Sequence, residues 1–506
     1  MSDASKPISW EELIRLALLG TDRAPLPIEW LAEEADATGP PSRLLEAAYT
    51  QHLLRRGARP WAKLEGKLPA TAPPEPGKAC TWRAAQMLLR MLEGHHAAAL
   101  PEFIRLLGQH QRVLPPAALP ALLDQCVADH SHWAIVAPAL GQRGHWLARQ
   151  HPAWRELLPP DMASDWRTAP ADEQAAAFRR QRQVDPEAAR QGLLDAWNEL
   201  EVKPRAQLLA ALEEGLSLAD EPFLENALDD SRKEVRQPAS ELLARLPDSA
   251  LVKRLFAQAT ACLSYEKKKI SLDLPDTAPA ATKRDGIQPR GSKMPGGLTL
   301  NWLTQLLVHI PVHYWLAHWQ VEPRQLVEGW FRAEYGLSLL HALTDSLLRH
   351  PHLPTQAAWA AYCLDTGNEK MWNHPAGRQL LATVPDEVFN RLLIHWLEQN
   401  GPLVPEETLA QYWLAMGTHS WNKRLSQLII QGFQQSLQQT RGGQWQTWHY
   451  RRLLEVAAYQ SDPALLEALR MGWNFRSTAA RWEPEVERML QTLHFRREMH
   501  KVIREG

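Results

Sequence analysis

Between Thr408 and Leu454 the chain has no Asp or Glu, yet it carries Lys423, Arg424, Arg441, Arg451 and Arg452. Tyr412, Trp413, Trp421, Phe433, Trp445, Trp448 and Tyr450 are interleaved with them. Cations of this density attract a phosphate backbone or an acidic protein surface, and aromatic faces stack on bases or anchor an interface. The candidate partner-binding set is therefore Trp421, Lys423, Arg424, Arg441, Trp445, Trp448, Arg451 and Arg452. The ordinary alternative, and the first expectation, is a helical core lined by aromatics with its cations in water. A protein partner comes second and nucleic acid third.

Other chemistries find little footing. A phosphate-cradling loop needs GxxxxGK[ST], or GxGxxG between a strand and a helix, and the sequence holds neither in that context. His309 and His313 stand four residues apart, but Pro311 lies between them and no carboxylate is close in sequence, so they read as structural and no metal is expected. There is no GxSxG elbow, and no catalytic residue or cofactor is assigned. Cys80, Cys126, Cys262 and Cys363 lie far apart without a CxxC pair, as reduced thiols of a cytoplasmic protein would.

The elements that would position these residues are almost all helical. Trp10, Leu13, Ile14, Ala17 and Leu18 form one apolar stripe, with Ser9 and Glu12 as a capping box and Gly20 as a stop. Prolines at 116, 186, 222 and 463 sit where helices begin, a position that needs no N–H. Many short helices with short connections predict stacked helical hairpins. Lys and Arg number 56 against 58 Asp and Glu, so the whole molecule has no charge-based preference for nucleic acid or membrane. The 22 tryptophans suit either the gaps between crossing helices or interface anchors. From Met294 to Val321 there is no charged residue, but Asn301, Gln305, three histidines and Pro311 are out of place in lipid. Two short buried helices meeting near Pro311 are expected there, not a membrane span.

Ser264 to Gly297 breaks the pattern. Ile270, Leu272 and Leu274 alternate with polar residues, and a run of prolines and glycines follows, which predicts a short extended element and then a linker. The expected division is 1–75, an N-terminal helical segment; 76–263, helical repeats; 264–297, extended element and linker; and 298–506, a C-terminal helical-repeat region. The stretch Arg496–Arg504 is expected to be the exposed end of a last helix.

Asp185-Pro186 and Asp220-Glu221-Pro222 open helix pairs about 35 residues apart, a helical-hairpin period. In the second pair Leu228, Asp229 or Asp230, Val235, Arg236, Ala239, Leu242, Leu243 and Leu246 follow one another in a pattern that resembles a HEAT repeat, with Pro238 as a departure that should kink the second helix. The resemblance implies an all-α solenoid of HEAT-like hairpins and an Asp–Arg ladder through Asp229, Asp230 and Arg236. Three segments carry a wider likeness: Ala17–Arg23, the Leu228–Pro247 unit, and Arg284-Asp-Gly-Ile287 leading to Gln305-Leu-Leu-Val-His-Ile-Pro311. In these the chain resembles a bacterial family of unknown function. Its genes tend to lie beside those for a SWIM zinc-finger protein, a MoxR-type AAA+ ATPase and a von Willebrand factor A-domain protein. The likeness implies a non-enzymatic scaffold or adaptor, with the ATPase or the A-domain protein as its partner. The rival is a nucleic-acid-binding HEAT-like protein, at the extreme like those DNA glycosylases that resemble HEAT proteins.

Overall fold

A computed structural model describes residues 9–23, 39–57, 70–158, 165–288, 296–402, 404, 408–439, 448–473 and 482–505. The chain divides into two compact units, Met1–Thr71 and Ala72–Gly506.

In the first unit the helices Trp10–Leu19 and Pro40–Gly57 pack together through Leu13, Leu16 and Ala47. The cap and stop expected for the first helix are present: the Glu12 N–H donates to Ser9 Oγ at 3.2 Å, and Gly20 takes a positive φ of 84°. The Arg55 guanidinium lies 5.4 Å from the Trp10 ring centre, which ties the two helices at one end.

The second unit is all-α and solenoid-like, apart from a two-residue strand pairing and one β-hairpin. Its helices start where the sequence provides caps. Asp185 Oδ1 accepts from the Ala188 N–H at 2.9 Å, and Ser249 Oγ accepts from the Val252 N–H at 3.2 Å. They then stack in two interleaved series. Gly297–His309 packs on Gly336–Arg349, and that helix on Pro375–Thr383. In the other series Pro323–Arg332, Leu353–Thr366, Asp386–Asn400 and Lys423–Gln439 follow one another. Contact between helices two or three places apart in chain order is what stacked hairpins require. The tryptophans fill this core: Trp166, Trp302, Trp315, Trp330, Trp359 and Trp413 are all fully buried.

One hydrophobic core runs from Trp166 to Leu493 and continues through the break in the pattern. Leu263–Glu266 and Lys269–Leu272 form an antiparallel hairpin, so the extended element is present. The linker expectation is corrected as far as Gln288, because Thr282, Asp285 and Ile287 are buried there. Helices Gly297–His309 and Val312–Trp319 meet at Pro311, and no helix among the described residues is long and apolar enough to cross a membrane.

The last helix, Glu483–Glu505, overturns another expectation. It packs back on Trp82–Leu92 and Leu100–Gln109, so the helical array of this unit closes on itself. Met499 and Ile503 complete the core formed by residues 84–157. Arg496, read as solvated, is only 3% exposed. It makes a paired bond to Glu102 at 2.6 and 2.9 Å and donates to the carbonyls of Ala458 and Ser461. The partners are too far apart in sequence for local pattern to reveal them.

A comparable staple joins earlier hairpins. Arg182 is fully buried, bridges both Asp220 oxygens at 2.9 Å, and donates to the carbonyls of Pro186, Leu212, Glu214 and Gly215. Each buried arginine thus neutralises a carboxylate and satisfies helix-end carbonyls that would otherwise lack donors.

Candidate functional site, a basic cleft

The acid-free stretch between Thr408 and Leu454 is acid-free only along the chain. Arg424 pairs with Glu398 at 2.7 Å, Arg451 with Glu485 at 3.8 Å, and Arg452 with Glu455 at 3.5 Å. Lys423 is exposed. The aromatics face inward: Trp413, Trp421, Phe433 and Tyr450 are at most 2% exposed. Trp413 donates through Nε1 to the Leu381 carbonyl, and Phe433 meets Tyr450, Trp473 and Trp482. Arg441 and Trp445 lie outside the described residues, as does the Trp448 side chain. Trp421 and Arg452 also line a cavity of about 860 Å³ at the closure, beside Glu102, Arg496 and His500. Acids and bases are interspersed on its walls, so it favours no sign of ligand charge.

The helical hairpin forms as its stripe predicts, with helices Glu221–Ala227 and Lys233–Leu243 and a buried row of Val235, Ala239, Leu242 and Leu246. The second helix runs unbroken through Pro238. The side-chain ladder takes another form. Arg236 donates to the backbone carbonyl of Asp230 at 2.7 Å, Asp230 faces Arg205 of the preceding hairpin at 3.7 Å, and Asp229 is held by Arg284 at 2.7 and 2.9 Å. Arg236 is thereby left without a carboxylate of its own among the described residues.

Arg284 belongs to a segment pinned at every position. It reaches Glu225 as well as Asp229, while Asp285 accepts from Arg254 at 2.7 Å. Ser240 Oγ donates to the Asp285 carbonyl at 2.6 Å. Gly286 has a φ of 83°, and a Cβ there would stand 2.4 Å from Ser240 Oγ, so both conformation and space call for glycine. Ile287 enters the core at 1% exposure. The Gln288 N–H then donates to Gln305 Oε1 at 3.1 Å, and Gln305 Nε2 returns a bond to the Gln288 carbonyl at 3.2 Å. This exchange fixes the loop to the helix Gly297–His309.

These contacts build an open cleft of about 480 Å³, within the range of ordinary ligand sites. One wall is the helix Lys233–Leu243, which presents Lys233, Arg236, Gln237, Ser240 and Glu241. The facing wall is Asn301, Gln305 and His309, a polar stripe at four-residue spacing on a helix whose other face is buried in the core. The stripe makes the groove about 12 Å long at 1.5 Å per residue. Lys283, Gly286 and Gln288 close one end, and Arg245 and Arg349 line the cleft as well.

Among the described residues, five basic side chains therefore line this cleft against one carboxylate, Glu241. Arg245 has an external partner in Glu213. Among the described residues no carboxylate lies within ion-pair distance of Lys233, Arg236, Lys283 or Arg349. Burial, and next the charge of Arg245, hold the Arg349 guanidinium below its usual range. Burial, reinforced by Arg349, also holds the His309 imidazole down at about 3, so it is neutral at pH 7. Its Nδ1 is buried without a hydrogen-bond partner. His313, four residues on, is exposed, and no cluster of metal-ligating side chains is present among the described residues. Of the four cysteines, burial pushes the Cys80 and Cys126 thiols up to about 11, which keeps them protonated at neutral pH.

The sequence offered one unused signal. Asn301, Gln305 and His309 stood out as polar residues in an apolar run, and their common spacing marks a groove wall. Fold and site together define an all-α, solenoid-like protein with an open basic cleft. The chain belongs to a family of unknown function (DUF5691), matched over residues 12–503. No curated protein and no solved structure matches it.

Proposed function

We propose that this protein is a non-catalytic, HEAT-like scaffold that holds an acidic segment of a partner protein in the cleft between Lys233–Leu243 and Asn301–His309. The observation that carries this is the excess of cations over carboxylates in the cleft, with four of the five in no close ion pair among the described residues, although Glu241 and Asp345 lie near enough to Arg349 to act on its charge. Charges left uncompensated on a concave surface focus field on whatever ligand arrives. The amide side chains of Gln237 and Gln288, which line the groove, suit the backbone of an extended segment.

Nucleic acid is the second reading, and the chemistry of the walls favours the first. Apart from His309 no aromatic ring lines the cleft, so unpaired bases have nothing to stack on. Of the aromatics that suggested stacking between Thr408 and Leu454, Trp413, Trp421, Phe433 and Tyr450 support the core instead. A cytoplasmic setting, and a MoxR-type ATPase or von Willebrand A-domain protein as partner, fit this reading through the family resemblance; an acidic exposed segment is the feature to seek in either.

Fluorescence anisotropy with a labelled acidic nonapeptide tests the proposal. Binding at low ionic strength that weakens with salt, and that drops at least about tenfold in Arg236→Glu, is expected. Equal binding by Arg236→Glu, or preference for single-stranded DNA or RNA over the peptide, overturns it.

A further inference from the structure

The charges of the cleft are unevenly placed. Lys233, Gln237 and Lys283 stand exposed at the rim, whereas Arg236, His309 and Arg349 are half-buried at its base. At the His309 end the two guanidiniums of Arg245 and Arg349 are close enough for one to disfavour the charge of the other. Glu213 answers only Arg245, from the rim. Beside them the neutral His309 ring keeps Nδ1 buried and unpartnered, although a buried polar atom ordinarily finds a partner. A helix that is apolar on its other face has thus placed an uncharged imidazole beside Arg349 in the lining of the cleft.

We infer, on the basis of the acidic-segment function proposed above, that this end of the cleft is a subsite for a phosphoryl group carried on the partner segment, bound by Arg349, Arg245 and His309. A phosphate monoester brings a charge of about −1.5 to −2 at neutral pH and three acceptor oxygens. Two guanidinium forks and one imidazole N–H supply donors for all three. A glutamate carboxylate brings only a single charge and two oxygens to the same forks, so it gains less from two guanidiniums than a phosphate does. Arg236, Lys233 and Lys283 then face the acidic residues that flank the phosphorylated one.

The test compares three probes on the full chain: an acidic nonapeptide with one phosphoserine, the same peptide with glutamate at that position, and inorganic phosphate. The phosphopeptide is expected to bind about tenfold more tightly than its glutamate counterpart. Arg349→Gln weakens both peptides, but it should weaken the phosphopeptide about tenfold more than the glutamate peptide, so that the preference is lost. Arg349→Lys, which keeps the charge but loses the fork, should fall between. Equal affinity of the wild-type chain for the two peptides overturns the phosphoryl subsite and leaves the acidic-segment function standing. Failure of both peptides to bind ends both. Inorganic phosphate binding as tightly as the phosphopeptide overturns the partner as its source.

Discussion

Arg182 is the residue on which the early hairpins depend most visibly. It is fully buried and satisfies both oxygens of Asp220 together with four carbonyls. Arg182→Met leaves the buried Asp220 carboxylate with only the longer contact to Arg190 at 3.5 Å and the Ser217 N–H at 3.0 Å, and should destabilise the fold by about 3 kcal/mol, read as a lower urea midpoint by circular dichroism. Adding Asp220→Leu should recover much of that loss, because the stranded charge is then gone. Glu102 makes the complementary case. Burial alone pushes its carboxyl up, but hydrogen bonds from Arg496 and His500, with their charges, prevail and hold it down at about 2. A depressed carboxyl contributes stability above its unfolded value near 4.5 and loses it as pH falls toward 2. At neutral pH Glu102→Gln should therefore cost on the order of 3 kcal/mol. The difference in melting temperature between wild type and Glu102→Gln should shrink as pH is lowered from about 5 to about 3.

At the scale of elements, the helices were legible because each carries its own stripe and cap. Ser9 before Trp10 and Asp185 before Pro186 act in space as they read in sequence. The hairpin of the HEAT-like unit was legible for the same reason. What an isolated stripe cannot reveal is its distant partner. The Glu483–Glu505 helix meets Glu102 across 394 residues, a distance at which no local period carries information. Its tail therefore looked like a solvated end. Deleting residues 483–505 should expose the core around Leu107 and Leu122, since Met499 and Ile503 cover it. Hydrogen exchange should then rise across residues 82–158 and 448–470, while the Lys233–Leu243 helix keeps its protection. Unchanged exchange in the first region would mean that the closure contributes little.

At the scale of the molecule, charge was the property that sequence misplaced. The stretch from Thr408 to Leu454 looked electropositive, but Glu398 and Glu485 reach it from outside, and Trp413, Trp421, Phe433 and Tyr450 turn into the core. The cleft was hidden for the converse reason. Its cations come from Lys233, Arg236, Lys283 and Arg349, which are dispersed along the chain and converge only when two hairpins stack. Two of the segments that mark the family resemblance, Arg284–Ile287 and Gln305–Pro311, meet the HEAT-like unit at that point. The central claim is that this cleft is where the scaffold holds its partner. Photo-crosslinking an acidic nonapeptide to the full chain, followed by mapping of the attached residues, tests it most directly. Crosslinks concentrated on residues 233–245 and 301–309, and lost in an Arg236→Glu, Arg349→Glu double variant that remains folded, are the predicted result. Crosslinks scattered over the surface, or unchanged in that variant, would contradict it.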